Sequence, residues 1–276
     1  MGASIQELTK KANEIRLTVV KMVGPGNPGH FGGSCSSADI VAALYFHKMK
    51  HDPKRPKWPE RDRLIFSKGH SAVAQYAALA LCGYFPTEEL WNLKNLGAML
   101  QGHPDMMRTP GIEANTGSLG QGLSICCGMA AGLRIDKSAS RVYCIVGDGE
   151  LAEGQIWEAA MAASYYKLDN LTVILDCNRL QATGPIAERF NTNPLKEKWE
   201  AFGWNTVEIN GHDMSQILQG LDSAEQVKGK PTILIAHTIK GKGIPFAENN
   251  AAFHNGIMTK EQYETACKIL SEQEVM

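Results

Sequence analysis

An α/β fold, doubly wound around a mainly parallel sheet with helices on both faces, is predicted by three features of this 276-residue sequence. Strand-length apolar runs alternate with segments of helical period from residue 140 onward. The runs at 141–146, 171–175 and 232–236 are apolar at successive positions, which marks strands buried on both faces. No linker rich in Pro, Gly or Ser divides the chain. A single domain over residues 1–276 with a helical N-terminal lead-in is therefore expected, its strands joined by right-handed crossovers.

The elements follow in order. Ile5, Leu8, Ala12, Ile15, Val19 and Met22 recur at spacings of three and four, so the chain opens with a helix. Gly24-Pro25-Gly26-Asn27-Pro28-Gly29 ends it. A second helix carries Ile40, Val41 and Leu44 on one face, with Ser36 or Ser37 as its cap. Residues 51–62 are charged and hold three prolines, as a surface loop would. Leu64-Ile65-Phe66 is a short buried strand that runs into Ser67-Lys68-Gly69-His70. The strand at 141–146 stops at Gly147-Asp148-Gly149, and a helix over about 153–167 turns Ile156, Ala159, Ala160 and Ala163 inward. Strands at 171–175, 206–209 and 232–236 complete the sheet. The tail is irregular, with one amphipathic helix at most in 259–276.

Composition excludes several classes. With 28 Lys+Arg against 29 Asp+Glu, bulk charge does not suit nucleic-acid binding. The longest uncharged run, 114–133, holds five glycines and polar side chains, too polar for a membrane span. The N-terminus lacks the apolar core of a signal peptide, and Met1-Gly2-Ala3-Ser4 matches an acylation start only loosely. Seven cysteines without a CxxC pair read as reduced thiols, and adjacent Cys126-Cys127 in a small-residue helix reads as packing. A cytoplasmic protein is the expectation.

The chemistry centres on Gly147-Asp148-Gly149 and on Asn178, thirty residues after Asp148. Both sit where strands end, at the carboxyl edge where parallel sheets bind ligands. A carboxylate, an amide oxygen and a nearby main-chain carbonyl are hard ligands suited to Mg²⁺ or Ca²⁺, with phosphate oxygens completing the shell. The glycines allow close approach of a diphosphate, and the following helix offers its positive end. A bare GDG is also an ordinary strand-to-helix turn. Loop histidines, taken singly, are usually solvated, and His47, His51, His212 and His237 are read that way. Lys240-Gly241-Lys242-Gly243 reads as a phosphate-facing loop, since no aromatic stripe accompanies it.

The wider context is specific. GHFGGSCSSADI, FSKGH, GHPD, NTGSLGQG, GDGELAEGQIWEAAMAASYYKLDNLTVILDCN, LDCNRL, AFGWNTVEINGH, HTIKGKG and FHNG occur in this order between residues 24 and 256. The sequence thereby resembles the transketolase family of thiamine diphosphate enzymes. The resemblance implies that Asp148, Asn178 and the main-chain carbonyl of Leu180 hold the metal. It implies that Gly149 meets the diphosphate through its backbone and that Gly117, Ser118 and Leu119 lie along the cofactor. Lys68, His70, Lys240 and His254 join that cofactor-binding set, and Glu153 matches a carboxylate that the family places at the subunit interface. His30, His70, His103 and His254 match histidines gathered around cofactor and donor sugar, where imidazoles donate hydrogen bonds and move protons.

The resemblance covers the diphosphate-binding part of the family's enzymes and not their pyrimidine-binding domain. It therefore implies the N-terminal subunit of a split transketolase. A separate C-terminal subunit would complete the cofactor site, in a two-plus-two heterotetramer. The implied reaction transfers a two-carbon ketol unit from a ketose, typically a phosphorylated sugar, to an aldose. The alternatives are a 2-oxoacid dehydrogenase component, a deoxyxylulose-phosphate synthase, or a non-catalytic thiamine diphosphate-binding subunit. Two departures from the family pattern, Phe31 in place of a proline and no proline in the loop after FHNG, put the sugar preference in question more than the chemistry.

Overall fold

The computed structural model of the chain describes residues 3–275, so the Met1-Gly2 start lies outside the described residues. Helix α1 (Ile5–Val23) opens the chain and begins at a reciprocal cap. The Glu7 amide donates to Ser4 Oγ at 3.2 Å, and the Ser4 amide donates to Glu7 Oε2 at 2.7 Å. The Gly29-His30-Phe31-Gly32-Gly33 segment that follows is not a loop throughout. From Phe31 onward the chain forms a short helix, α2 (Phe31–Ser36), followed at once by α3 (Ala38–Ala43). Neither Ser36 nor Ser37 caps a helix through its side chain, as the sequence suggested; both hydroxyls turn to the buried Asp176 instead.

The sheet consists of β1 (Arg63–Phe66), β2 (Val142–Gly147), β3 (Leu171–Cys177), β4 (Asn205–Asn210) and β5 (Thr232–His237). Their spatial order is β1-β2-β3-β5-β4, and every pair is parallel. The register sets Gly147 beside Asp176 and Asp176 beside Ala236, so three strands deliver their carboxyl ends to one place.

The uninterrupted apolar runs are explained by two cores. Tyr143, Ile145, Ile174 and Leu234 face α1, α3, α4 (Ala72–Leu81) and a later helix over Met214–Gln226. The alternate residues Val142, Cys144, Val146, Val173, Leu175 and Ile235 face α5 (Gln121–Ile135) and α6 (Gly154–Tyr165). This is the period-two alternation of a strand covered on both sides. Cys126 and Cys127 are buried in the second core, and the Cys127 thiol lies 3.6 Å from the Ala159 carbonyl, in line with a packing role. The tail is more regular than expected: residues Lys260–Val275 form a helix that buries Ala266 and Leu270 and packs along α1. Among the described residues no helix is long and apolar enough to cross a membrane.

Candidate active site

The carboxyl ends of β1, β2, β3 and β5 surround a cavity of about 220 Å³. Lys68 and His70 enter from the turn after β1, Gly147, Asp148 and Gly149 from the end of β2, Asn178 and Leu180 from the end of β3, and Lys240 from the turn after β5. Leu119 and His254 close it from two loops.

Beneath it lies Asp176, a residue that sequence reading passed over as a strand end. It is fully buried and pairs with the Lys68 ammonium. Ser36 Oγ donates to its Oδ2 at 2.7 Å and Asn178 Nδ2 at 3.1 Å, while Thr238 Oγ1 donates to Oδ1. Burial alone would raise its pKa; Lys68 and the hydroxyl donors outweigh that and hold it at about 2. Asp176 therefore fixes both Lys68 and the amide orientation of Asn178. The Asn178 Oδ1 faces the other way and accepts from the Leu180 amide at 3.1 Å.

Asp148 is in the opposite situation. It is 3% exposed and accepts the Gly149 amide at 2.9 Å and the Arg179 amide. No cationic side chain pairs with it among the described residues. Burial, reinforced by the charge of Asp176, pushes its pKa up to about 7. Lys240 is shifted the complementary way: burial and the Lys68 charge bring it down to about 8. Its ammonium donates to the Leu180 carbonyl and to His254 Nδ1, both at 2.9 Å. One wall thus holds a carboxylate short of a cation, and another holds the Lys240 ammonium, which no carboxylate pairs with among the described residues and which an anion would stabilise. A divalent ion bound to a diphosphate carries both charges and fits this arrangement. Among the described residues no three His, Cys, Asp or Glu side chains gather as a metal site. The donors available are therefore the Asp148 carboxylate, the Asn178 amide oxygen and the Leu180 carbonyl, all hard oxygens.

Three of the four singled-out histidines form one cluster. Ring centroids of His30 and His70 are 5.0 Å apart, as are those of His70 and His254, and His30 and His254 are 5.5 Å apart. Burial first, then neighbouring positive groups, lowers His30 to about 4, His70 to about 2 and His254 to about 3. All three are neutral imidazoles at neutral pH. The Lys240 ammonium donates to His254 Nδ1, so the His254 ring proton is on Nε2. His103 is exposed and stands against Gly117, where an added Cβ would meet its ring at 2.7 Å. Gly117, Ser118 and Glu153 do not line the cavity; Ser118 and Glu153 are exposed.

The segment carrying Leu119 is held by Glu150, which sequence reading also missed. Glu150 is buried and accepts from the Gly120 amide at 2.8 Å, the Gly147 amide at 3.1 Å and Ser67 Oγ. Burial raises its pKa, opposed by these donors. Glu150→Gln would turn an N–H toward one of them. It is expected to cost about 1–3 kcal/mol of stability in urea unfolding, and wild-type stability would show the three bonds to be dispensable. On the other side, a Cβ on Gly69 would come within 2.6 Å of the Thr116 main chain, so the turn that bears His70 can press against this segment only with glycine there.

Comparison with known proteins identifies the family. A family model described as "Transketolase, thiamine diphosphate binding domain" covers residues 8–271. The 6-deoxy-6-sulfo-D-fructose transketolase subunit SqwG of Clostridium sp. (strain MSTE9) is 46% identical over 97% of both chains. An apulose-4-phosphate transketolase subunit of Phocaeicola vulgatus is 42% identical over 99% of this chain and 96% of that one. The crystal structure of transketolase from Campylobacter jejuni superposes with a TM-score of 0.91 at 34% identity; it covers all of this chain, which spans 43% of that enzyme. The chain belongs to the transketolase family and corresponds to its thiamine diphosphate-binding, N-terminal subunit.

Proposed function

We propose that residues 1–276 act as one domain that supplies the diphosphate half-site of a two-chain transketolase, with Mg²⁺ held by Asp148, Asn178 and the Leu180 carbonyl. The observation that carries this reading is the opposed charge shortage of Asp148 and Lys240 in one cavity beside three neutral imidazoles. When bound, thiamine diphosphate supplies the electron sink for breaking and remaking a carbon–carbon bond.

The chain's own residues bind and orient. Lys68, held by Asp176, and Lys240 face the diphosphate, and the backbone of Gly149 approaches it. Gly117, Ser118 and Leu119 form the edge along which the cofactor lies. His254, with its proton on Nε2, donates from that atom toward the sugar. His30 and His70 accept or donate hydrogen bonds to sugar hydroxyls, and His103 reaches the same sugar from the rim. These four are the proposed catalytic residues. The substrates are ketose and aldose sugars bearing an anionic group, as in the names of the two subunit relatives.

The partner is a C-terminal transketolase subunit that supplies the pyrimidine half-site, in a two-plus-two assembly. Support comes from the outward face of α5 and α6, where Ile135, Met161, Tyr165 and Tyr166 are 80%, 52%, 79% and 61% exposed. Glu153, at the N-terminus of α6, belongs to this interface. A cytoplasmic setting accords with seven free cysteines, five of them buried.

Mixing this chain with its partner subunit, Mg²⁺ and thiamine diphosphate is expected to give ketose-dependent transfer to an aldose, and this chain alone is expected to give none. Turnover of a ketose phosphate by this chain alone would refute the two-chain reading. Turnover of pyruvate in preference to a ketose phosphate would favour a different thiamine diphosphate enzyme.

A further inference from the structure

His212, which sequence reading treated as an ordinary loop histidine, connects two distant helices, α1 and α3, to the turn that carries Lys240. Its Nδ1 lies 2.7 Å from Asp39 Oδ2, and the Ile239 amide donates to its Nε2 at 2.8 Å. Asp39 is buried on α3 and pairs with the Arg16 guanidinium of α1. Arg16 is anchored in turn by the Cys35 carbonyl at 3.2 Å and Asn13 Oδ1 at 3.1 Å. Ile239 immediately precedes Lys240, whose ammonium reaches the Leu180 carbonyl and His254.

A peptide N–H can only donate. His212 Nε2 must therefore present a lone pair, and the ring proton sits on Nδ1, directed at Asp39. The two helices thus fix a carboxylate, the carboxylate fixes a tautomer, and the tautomer fixes one peptide group. Neighbouring anchors hold the turn on either side: the Thr238 amide on the Cys177 carbonyl at 3.2 Å and the Gly241 amide on the Gly32 carbonyl at 2.9 Å. Between them the Ile239 amide has His212 as its acceptor.

We propose that His212, as the Nδ1–H tautomer held by Asp39 and Arg16, is a positioning residue that sets the main chain at Ile239 and thereby places the Lys240 ammonium in the cavity. This rests on the reading that Lys240 meets the cofactor diphosphate. Gln can present an oxygen to Ile239 and an N–H to Asp39, whereas Leu can do neither. In the reconstituted two-chain enzyme, His212→Gln is expected to keep thiamine diphosphate affinity within about threefold of wild type. His212→Leu is expected to weaken it about tenfold, with kcat at saturating cofactor within about twofold. On a Lys240→Met background, His212→Leu is expected to add little further loss, because it acts through Lys240.

A two-bond ¹H–¹⁵N spectrum of the full chain without cofactor reads the tautomer directly, and Nδ1 protonated with Nε2 bare is the expected pattern. A protonated Nε2, equal affinities for the Gln and Leu variants, or a fully additive loss on the Lys240→Met background would overturn the proposal. Should the wild-type pair take up no thiamine diphosphate, it is the diphosphate reading that fails, and the spectrum still decides His212.

Discussion

Asp148→Asn is expected to weaken Mg²⁺–thiamine diphosphate binding by the two-chain enzyme beyond about a hundredfold while leaving the fold intact. The magnitude follows from comparison: changing a group that merely supports a metal ligand costs about 10–100-fold in metal affinity, and Asp148 is proposed as a ligand itself. The retention of stability follows from its electrostatics. Asp148 is 3% exposed, and burial and Asp176 push it up to about 7, so its ionised form is a burden on the chain without ligand. The Gly149 and Arg179 amides bond separate oxygens of Asp148, so the asparagine keeps an acceptor for one of them and turns an N–H toward the other, a loss that removal of the unpaired buried charge offsets. Calorimetric titration of the pair with cofactor and Mg²⁺, beside urea unfolding of the chain without either, reads both effects. Undiminished uptake would remove the metal-binding reading. A variant that unfolds would show that Asp148 serves the fold and not the ligand.

Asp176→Ala is expected to do the reverse and strike the fold first. Lys68 and Asp176 have side chains only 4% and 0% exposed, and their mutual contact neutralises both. Removing one partner of such a pair leaves an uncompensated buried charge, which costs about 3–5 kcal/mol, a large part of a domain's stability of about 5–15 kcal/mol. The donors from Ser36, Thr238 and Asn178 lose their acceptor as well. Lys68→Met combined with Asp176→Ala is expected to recover part of the loss, since the stranded ammonium is then gone. Denaturant unfolding of the wild type, both single variants and the double variant measures this. A single variant as stable as wild type, or a double variant no better than Asp176→Ala, would contradict the pairing as the source of stability.

The two aspartates sit 28 positions apart in the sequence and close enough in space for the charge of one to shift the other, yet one is proposed to meet the ligand and the other holds the walls. Their difference is environmental. Asp176 lies inside β3, where hydroxyl, amide and ammonium donors converge on it, whereas Asp148 lies just past β2, where main-chain amides are its donors. The same side chain is thereby a stable anion in one place and a charge seeking a cation in the other.

Local pattern was enough to establish the covered parallel strands, the opening helix, the strand-end position of Asp148 and Asn178, and, through the ordered motifs, the family. Apolar periodicity and turn residues act between neighbours in the chain, and neighbours are what a sequence displays. Which charges meet was decided by tertiary structure alone. Lys68 pairs with Asp176 across 108 positions, His212 meets Asp39 across 173, and Ser36 and Ser37 leave the role of caps for a buried carboxylate. The short antiparallel pairing of Pro28–Gly29 with Gly256–Ile257 brings His30 beside His254, the turn after β1 sets His70 against both, and His103 stays exposed. A strand's alternation says which residues are buried along it, but it does not say what they face. That depends on strand order and register, and buried charges find their partners only once both are set.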